Sequence, residues 1–235
     1  SVSQKTGKPL SLASVNRRMA RISSVLTMCV KEWDWCENNP VRELSQFTEK
    51  ERDRYLSDAE LKSLLSNLDC TDEPSIKPLI LLGLTTGRRA GELLSVRWRD
   101  IHWESGTIYL WDTKNGTHSA AYLQPVAREA IDHLWLGRER DAEQLILQGK
   151  HGRVPFAYHW RWDEVREAAG LDDFRFHDLR HSAASFMAMA GQSLAEIAAV
   201  LGHKTTRTTQ RYAHFAEDHR RATASVLGEK VKLDD

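Results

Sequence analysis

Leu12, Val15, Met19, Ile22, Leu26, Cys29 and Trp33 recur at alternating steps of three and four residues. That spacing predicts one apolar stripe along a helix of about 22 residues. Ser11 stands where an N-cap belongs, and Asn38-Asn39-Pro40 ends the pattern. Gln46 to Arg54 is charged and nearly free of apolar residues, which reads as a linker. Ser57-Asp58-Ala59-Glu60 is a capping box, and the helix it opens turns Leu61, Leu64, Leu65 and Leu68 inward. Ile76 to Leu84 is apolar almost throughout and predicts a buried helix, which Thr86-Gly87 interrupts before another helix from Arg89 to Arg97.

The period then changes. Thr107 to Trp111 reads as a strand, Asn115-Gly116 as a tight turn, and Ala120 to Leu123 as a returning strand. Further helices are expected at 126–136, 159–169, 178–190, 194–201 and 206–214, with a polar, irregular stretch between Gly137 and Pro155. Ser193 to Glu196 forms a second capping box, and Gly191 suits the end of the helix before it. The pattern as a whole is mainly α with one small antiparallel hairpin, without internal repeats.

Composition narrows the class. The 235 residues are 41% hydrophobic and 28% charged, enough to bury a core in one large domain or two small ones. No run approaches the length of a membrane span, and no leader-like segment opens the sequence. Cys29, Cys36 and Cys70 are odd in number and lack metal-ligand spacing, so they read as reduced thiols. Thirty-three basic residues balance thirty-three acidic ones, which excludes a uniformly basic nucleic-acid binder. The charge is unevenly spread, however. Residues 1–48 and 174–214 each carry a surplus of three positive charges, as suits a protein with one anion-binding face.

Candidate chemistry is densest in His177-Asp178-Leu179-Arg180-His181. His177 and His181 share a helix face at the spacing of two zinc ligands, with His203 as a candidate third, but Asp178 stands where zinc peptidases want Glu. His177 and Arg180, three apart, make an alternative pair: a guanidinium fork beside an imidazole suits a phosphate. Thr86-Gly87-Arg88-Arg89-Ala90-Gly91-Glu92 supplies a second arginine at a helix start, with Glu92 one turn on to hold Arg89. Lys114 sits at the hairpin turn, His203 follows Leu201-Gly202, and Tyr212 lies in Arg-Tyr-Ala-His.

The order and spacing of these segments closely resemble the tyrosine recombinases of the phage integrase type. Thr86 to Glu92 fits their Thr-Gly-x-Arg-x-x-Glu box and selects Arg89 over Arg88. Lys114 matches the hairpin lysine, His177 and Arg180 the His-x-x-Arg box, Leu201-Gly202-His203 the Leu-Gly-His box, and Tyr212 the nucleophile. The resemblance runs from about Leu56 to Leu227 and implies an integrase-type catalytic fold (α+β) over 56–235. Residues 1–47 then resemble the end of a helical, SAM-like core-binding domain, with 48–55 as the linker.

This resemblance implies site-specific cutting and rejoining of DNA through a 3′-phosphotyrosyl intermediate, without ATP, metal or other cofactor. Arg89, Arg180 and His203 would stabilise the phosphate, Lys114 would protonate the leaving oxygen, His177 would take the tyrosine proton, and Glu92 would orient its neighbours. Arg17, Arg18, Arg21, Arg175, Lys204, Arg207 and Arg211 are the candidate DNA contacts. Implied partners are double-stranded DNA, a homotetramer on synapsed sites, and an accessory DNA-bending protein or excisionase. The implied setting is the cytoplasm of a bacterial or phage-infected cell, at the nucleoid. A type IB topoisomerase shares the chemistry. A zinc hydrolase and a silent DNA-binding module are the other classes. Two positions depart from the family pattern. Arg88 replaces an apolar residue and is expected to contribute little, and the strand after the hairpin turn lacks a customary basic residue.

Overall fold

The computed structural model describes residues 9–48, 52–112, 117–137, 139–149, 156–203 and 205–216. The chain divides into two compact units between Arg52 and Asp53.

The first unit is built on one helix, α1 (Leu12–Lys31). The Ser11 hydroxyl accepts from Ser14 N, and Lys31 complements the helix dipole in the last turn. The helix stops earlier than the apolar pattern implies, because Asp34 takes a left-handed φ of 49° just beyond it. Asn38-Asn39-Pro40 instead opens a short 3-10 turn, Pro40–Glu43. Two asparagines hold this unit together. Asn39 Nδ2 donates to Ser23 O and Thr27 Oγ1 at 2.9 and 3.0 Å. Buried Asn16 both donates to Phe47 O and accepts from Phe47 N. Of the predicted apolar stripe, Cys29 is buried, while Leu12 and Ile22 remain exposed.

The second unit carries α2 (Asp58–Ser66), α3 (Ile76–Thr86) and α4 (Ala90–Leu94). A three-stranded antiparallel sheet follows: β1 (Ile101–His102), β2 (Thr107–Asp112) and β3 (Thr117–Tyr122), in that order. The chain continues through α5 (Pro125–Leu134), α6 (His159–Ala168), α7 (Asp178–Met189) and α8 (Leu194–Leu201) to 3-10 turns at Thr206–Thr208 and Gln210–Ala216. Both predicted capping boxes form, at Ser57 and Ser193. Most side chains of α3 are buried, and this helix is the spine against which α5 and α7 pack. Ile108 and Leu110 face the core, while Tyr109 and Trp111 alternate outward.

Four expectations need correction here. Leu65 is 44% exposed, not inward. The helix after Arg89 ends at Leu94, because Val96 O accepts from Ile146 N, and the amides of Trp98 and Arg99 are drawn to Gln144 O and Ala142 O. The sheet gains β1, which pairs Ile101 with Ile108. The segment 206–214 forms 3-10 turns instead of an α-helix, since four of the five residues 205–209 are β-branched threonines.

Candidate active site

The turn after α3 sets the first two arginines. Gly87 takes φ 63°, a conformation open to glycine, and a Cβ there would collide with the Leu201 side chain. The turn sends Arg88 inward and Arg89 outward. Arg89 N donates to Glu92 Oε2 at 3.1 Å and its Nη1 to Glu92 Oε1 at 2.9 Å. Glu92 therefore grips Arg89 at both ends, as expected, while the arginine side chain keeps 53% exposure. Arg88 is 3% exposed. It donates to Ser119 Oγ at 3.0 Å and to Ala120 O, which ties the end of α3 to β3.

The start of α7 sets the next group. The Asp178 carboxylate is buried and accepts from Arg175 N at 2.8 Å, closing the first turn. His177 occupies the N-cap position and is exposed. Arg180, one turn on, is 4% exposed and points inward. Its Nη1 donates to Gly87 O and Leu201 O, both at 2.8 Å, so one guanidinium ties the ends of α3 and α8. Its Nη2 is buried and has no acceptor among the described residues. An unpaired buried donor is costly, and an anion is the acceptor that fits it.

Past α8, Gly202 turns the chain and His203 Nδ1 meets Thr209 Oγ1 at 2.8 Å. Tyr212 is buried, at 4% exposure, in a small cluster with Ala184, Ala188, Ile197 and Leu201. Its hydroxyl lies 2.5 Å from His181 Nδ1. The rings of His177 and His181 meet edge to face, with centroids 5.1 Å apart.

These groups form one electropositive locus. Burial first, then the charge of Arg89, draws Arg180 down to about 10. Burial and then Arg180, Arg89 and Arg88 draw His203 down to about 4. His181 also falls to about 4, through burial and then Arg211 and His177. His177 is lowered by desolvation, then by Arg180 and Arg89. Cations that depress one another in this way would be relieved by a shared anion.

The structure thus brings Arg89, Glu92, His177, Arg180, His203 and Tyr212 into one unit. Lys114 and Lys204 lie outside the described residues. Arg175 and Arg207 are exposed, and Arg211 is half-buried, with Nη2 3.5 Å from Asp53. Arg17, Arg18 and Arg21 are exposed on α1 of the first unit. Among the described residues no three His, Cys, Asp or Glu side chains are grouped to hold a metal, and His181 Nδ1 is engaged by Tyr212. Two contacts of the candidate site escape sequence reasoning. His181 was legible only as half of a zinc-spaced pair, although its place directly after Arg180 marks it. The sequence alone makes Arg88 a minor contributor, because nothing in it says that the side chain points inward.

Comparison with known proteins places the chain. The model of the phage integrase family matches residues 54–219. A shufflon-specific DNA recombinase of Escherichia coli is 31% identical over 91% of this chain and 54% of its own length. The integrase of Salmonella phage P22 is 25% identical over 95% of this chain and 60% of its own. The chain therefore spans little more than half the length of these curated relatives. Among solved structures, the XerH site-specific recombinase in a post-cleavage complex with its palindromic difH substrate superposes with a TM-score of 0.72. That likeness covers 93% of this chain and 68% of that one at 21% identity, and it fixes the fold.

Proposed function

The chain belongs to the phage integrase family, and from that membership we propose that it breaks and rejoins DNA strands through a covalent 3′-phosphotyrosyl intermediate. The observation that carries this reading is the convergence of Arg89, Arg180 and His203 on one locus beside a buried tyrosine hydroxyl. Arg89 and Arg180 present guanidinium forks that match the non-bridging oxygens of a phosphodiester. Arg180 is pre-oriented by its two carbonyl acceptors and Arg89 by Glu92, so neither has to reorganise as charge develops in the transition state. His203 adds a hydrogen bond to the phosphate while Thr209 fixes its ring. Tyr212 attacks phosphorus, and Lys114 protonates the departing 5′ oxygen. A positioned acid of this kind contributes roughly 10²–10⁴-fold.

Two arginines and a lysine supply the positive charge that a two-metal site otherwise provides, so no step of this route needs a metal. The partner we propose is duplex DNA, engaged by a homotetramer on synapsed sites, with an accessory DNA-bending protein or excisionase, in the bacterial cytoplasm at the nucleoid. Arg17, Arg18, Arg21, Arg175, Lys204, Arg207 and Arg211 would contact the backbone. Residues 1–47 would be the end of a core-binding domain, 48–55 the linker, and 56–235 the catalytic domain.

A nicked DNA substrate that traps the covalent adduct tests the reading. The wild-type chain should form an adduct that survives denaturation and excess EDTA, and Tyr212→Phe should form none while still binding DNA. An undiminished adduct in Tyr212→Phe contradicts it. Relaxation of supercoiled DNA without exchange between sites would favour a type IB topoisomerase.

A further inference from the structure

We propose that His181, in place of the expected His177, is the proton acceptor for Tyr212 during strand cleavage. This rests on Tyr212 being the nucleophile and adds the destination of its proton. The phenol oxygen lies 2.5 Å from His181 Nδ1, a short contact between side chains 31 residues apart. A phenol ordinarily titrates near 10, so Tyr212 is the donor at neutral pH. The imidazole is held near 4 and is therefore neutral there, with a lone pair to offer. Tyr212 then donates to Nδ1, and the remaining ring proton sits on Nε2.

The groups around the imidazole explain why it is empty before reaction and able to fill during it. Arg211, from the turn that carries Tyr212, and His177 and Arg180, from α7, all oppose its protonation, and Asp178 favours it. A phosphodiester bound at Arg89 and Arg180 brings negative charge to this group of cations. That charge grows as the pentacoordinate transition state forms, which makes an imidazolium beside it progressively more favourable.

The step balances as follows. The Tyr212 Oη–P bond forms as the P–O5′ bond breaks. The phenol proton passes to His181 Nδ1, and the 5′ oxygen takes a proton from the Lys114 ammonium. In rejoining, the 5′ hydroxyl gives its proton to the lysine amine and attacks phosphorus, and the His181 imidazolium returns its proton to Oη.

The experiment is single-turnover adduct formation on nicked DNA from pH 5 to 9, with wild type, His181→Gln, His181→Asn and Tyr212→Phe. Glutamine can accept the hydrogen bond but not the proton. Cleavage by His181→Gln should fall by roughly 10²–10³-fold. Its rate should climb about tenfold per pH unit as the phenol ionises unaided, where the wild type is flat. Placing the more acidic 3,5-difluorotyrosine at 212 should restore most of the lost rate in the glutamine variant and change the wild type little, which a purely structural role would not produce. His181→Asn serves if the glutamine variant does not fold. A substituted chain that binds DNA normally and cleaves within threefold of wild type, with the wild-type pH profile, overturns the His181 assignment alone. Failure of wild type to form any adduct overturns the Tyr212 reading instead.

Discussion

Arg88 occupies the space that a side chain at Gly202 would need. A Cβ built on Gly202 would fall inside the van der Waals radius of Arg88 Nη1. The same guanidinium binds Ser119 and Ala120 of β3, so the hairpin, the end of α3 and the turn bearing His203 meet at one buried side chain. Gly202 also takes φ 68°, which costs other residues about 1–2 kcal/mol. Gly202→Ala should therefore lose that amount and the cost of displacing Arg88. Arg88→Ala should destabilise too, by about 1–3 kcal/mol, because the Ala120 carbonyl loses its donor. The decisive measurement is the double mutant by chemical denaturation. Arg88→Ala/Gly202→Ala should be less destabilised than the two single losses added, by about 1 kcal/mol. Strict additivity would mean that the two positions do not compete for space.

Arg180→Lys should not behave as a conservative change. An ammonium cannot reach Gly87 O and Leu201 O and still present a second edge to phosphate. Cleavage should drop by at least about 10²-fold, and at least one of the two buried carbonyls should go unpaired at about 1–3 kcal/mol. Arg89→Lys should lose a similar factor in cleavage but little stability, because that side chain is half-exposed and paired with Glu92. Adduct kinetics and thermal unfolding on the two variants separate these outcomes. Equal stability losses would contradict the difference in their packing.

Acid should weaken the fold in two windows. His181 and His203 are held near 4, below the ordinary value of 6.5, so the unfolded chain binds more protons between those pH values. Stability therefore falls as pH drops from 6.5 to 4. Glu60 acts in the same direction at lower pH. Hydrogen bonding from Arg54 first, and then from Ser57, holds it near 2, so its contribution persists above 4.5 and is lost between 4.5 and 2. His203→Gln should make the upper window shallower, leaving the share due to His181, and should not change the lower one. Melting temperatures at half-unit pH steps check this, and an unchanged upper window would exclude His203 as a source.

Much of this was legible in the sequence because it is local. The capping boxes at Ser57 and Ser193 and the apolar run of α3 need no tertiary information, and each formed as read. The candidate residues were found by order and spacing, which survive without knowledge of the packing. What the sequence hid is long-range. The Arg88 clasp joins residues 31 and 32 positions apart, and the His181–Tyr212 contact spans 31. The helix expected from Arg89 to Arg97 was cut short by carbonyls and amides of 142–146 that no local pattern announces. The stripe on α1 misled in another way. Its period correctly gave a helix, but burial depends on what packs against the stripe, and Asn16 and Asn39 hold the first unit instead.

Differences in exposure rank the candidate DNA contacts of the second unit. Each phosphate neutralised by a basic side chain adds about 0.9 to the magnitude of the slope of log affinity against log salt. Arg175 and Arg207 are exposed, and no carboxylate within salt-bridge distance is found for either among the described residues. Each is therefore able to replace counterions on DNA at full charge. Arg211 is half-buried beside Asp53, so part of its charge is already compensated, and moving toward DNA means leaving that carboxylate. In salt titrations of duplex binding, Arg175→Ala and Arg207→Ala should each lower the slope by close to 0.9, and Arg211→Ala by clearly less. Asp53→Asn should then recover the difference, raising affinity and restoring a full increment for Arg211. If Arg211→Ala lowers the slope as much as the other two while Asp53→Asn has no effect, the ion pair does not persist in solution and exposure is the wrong basis for the ranking.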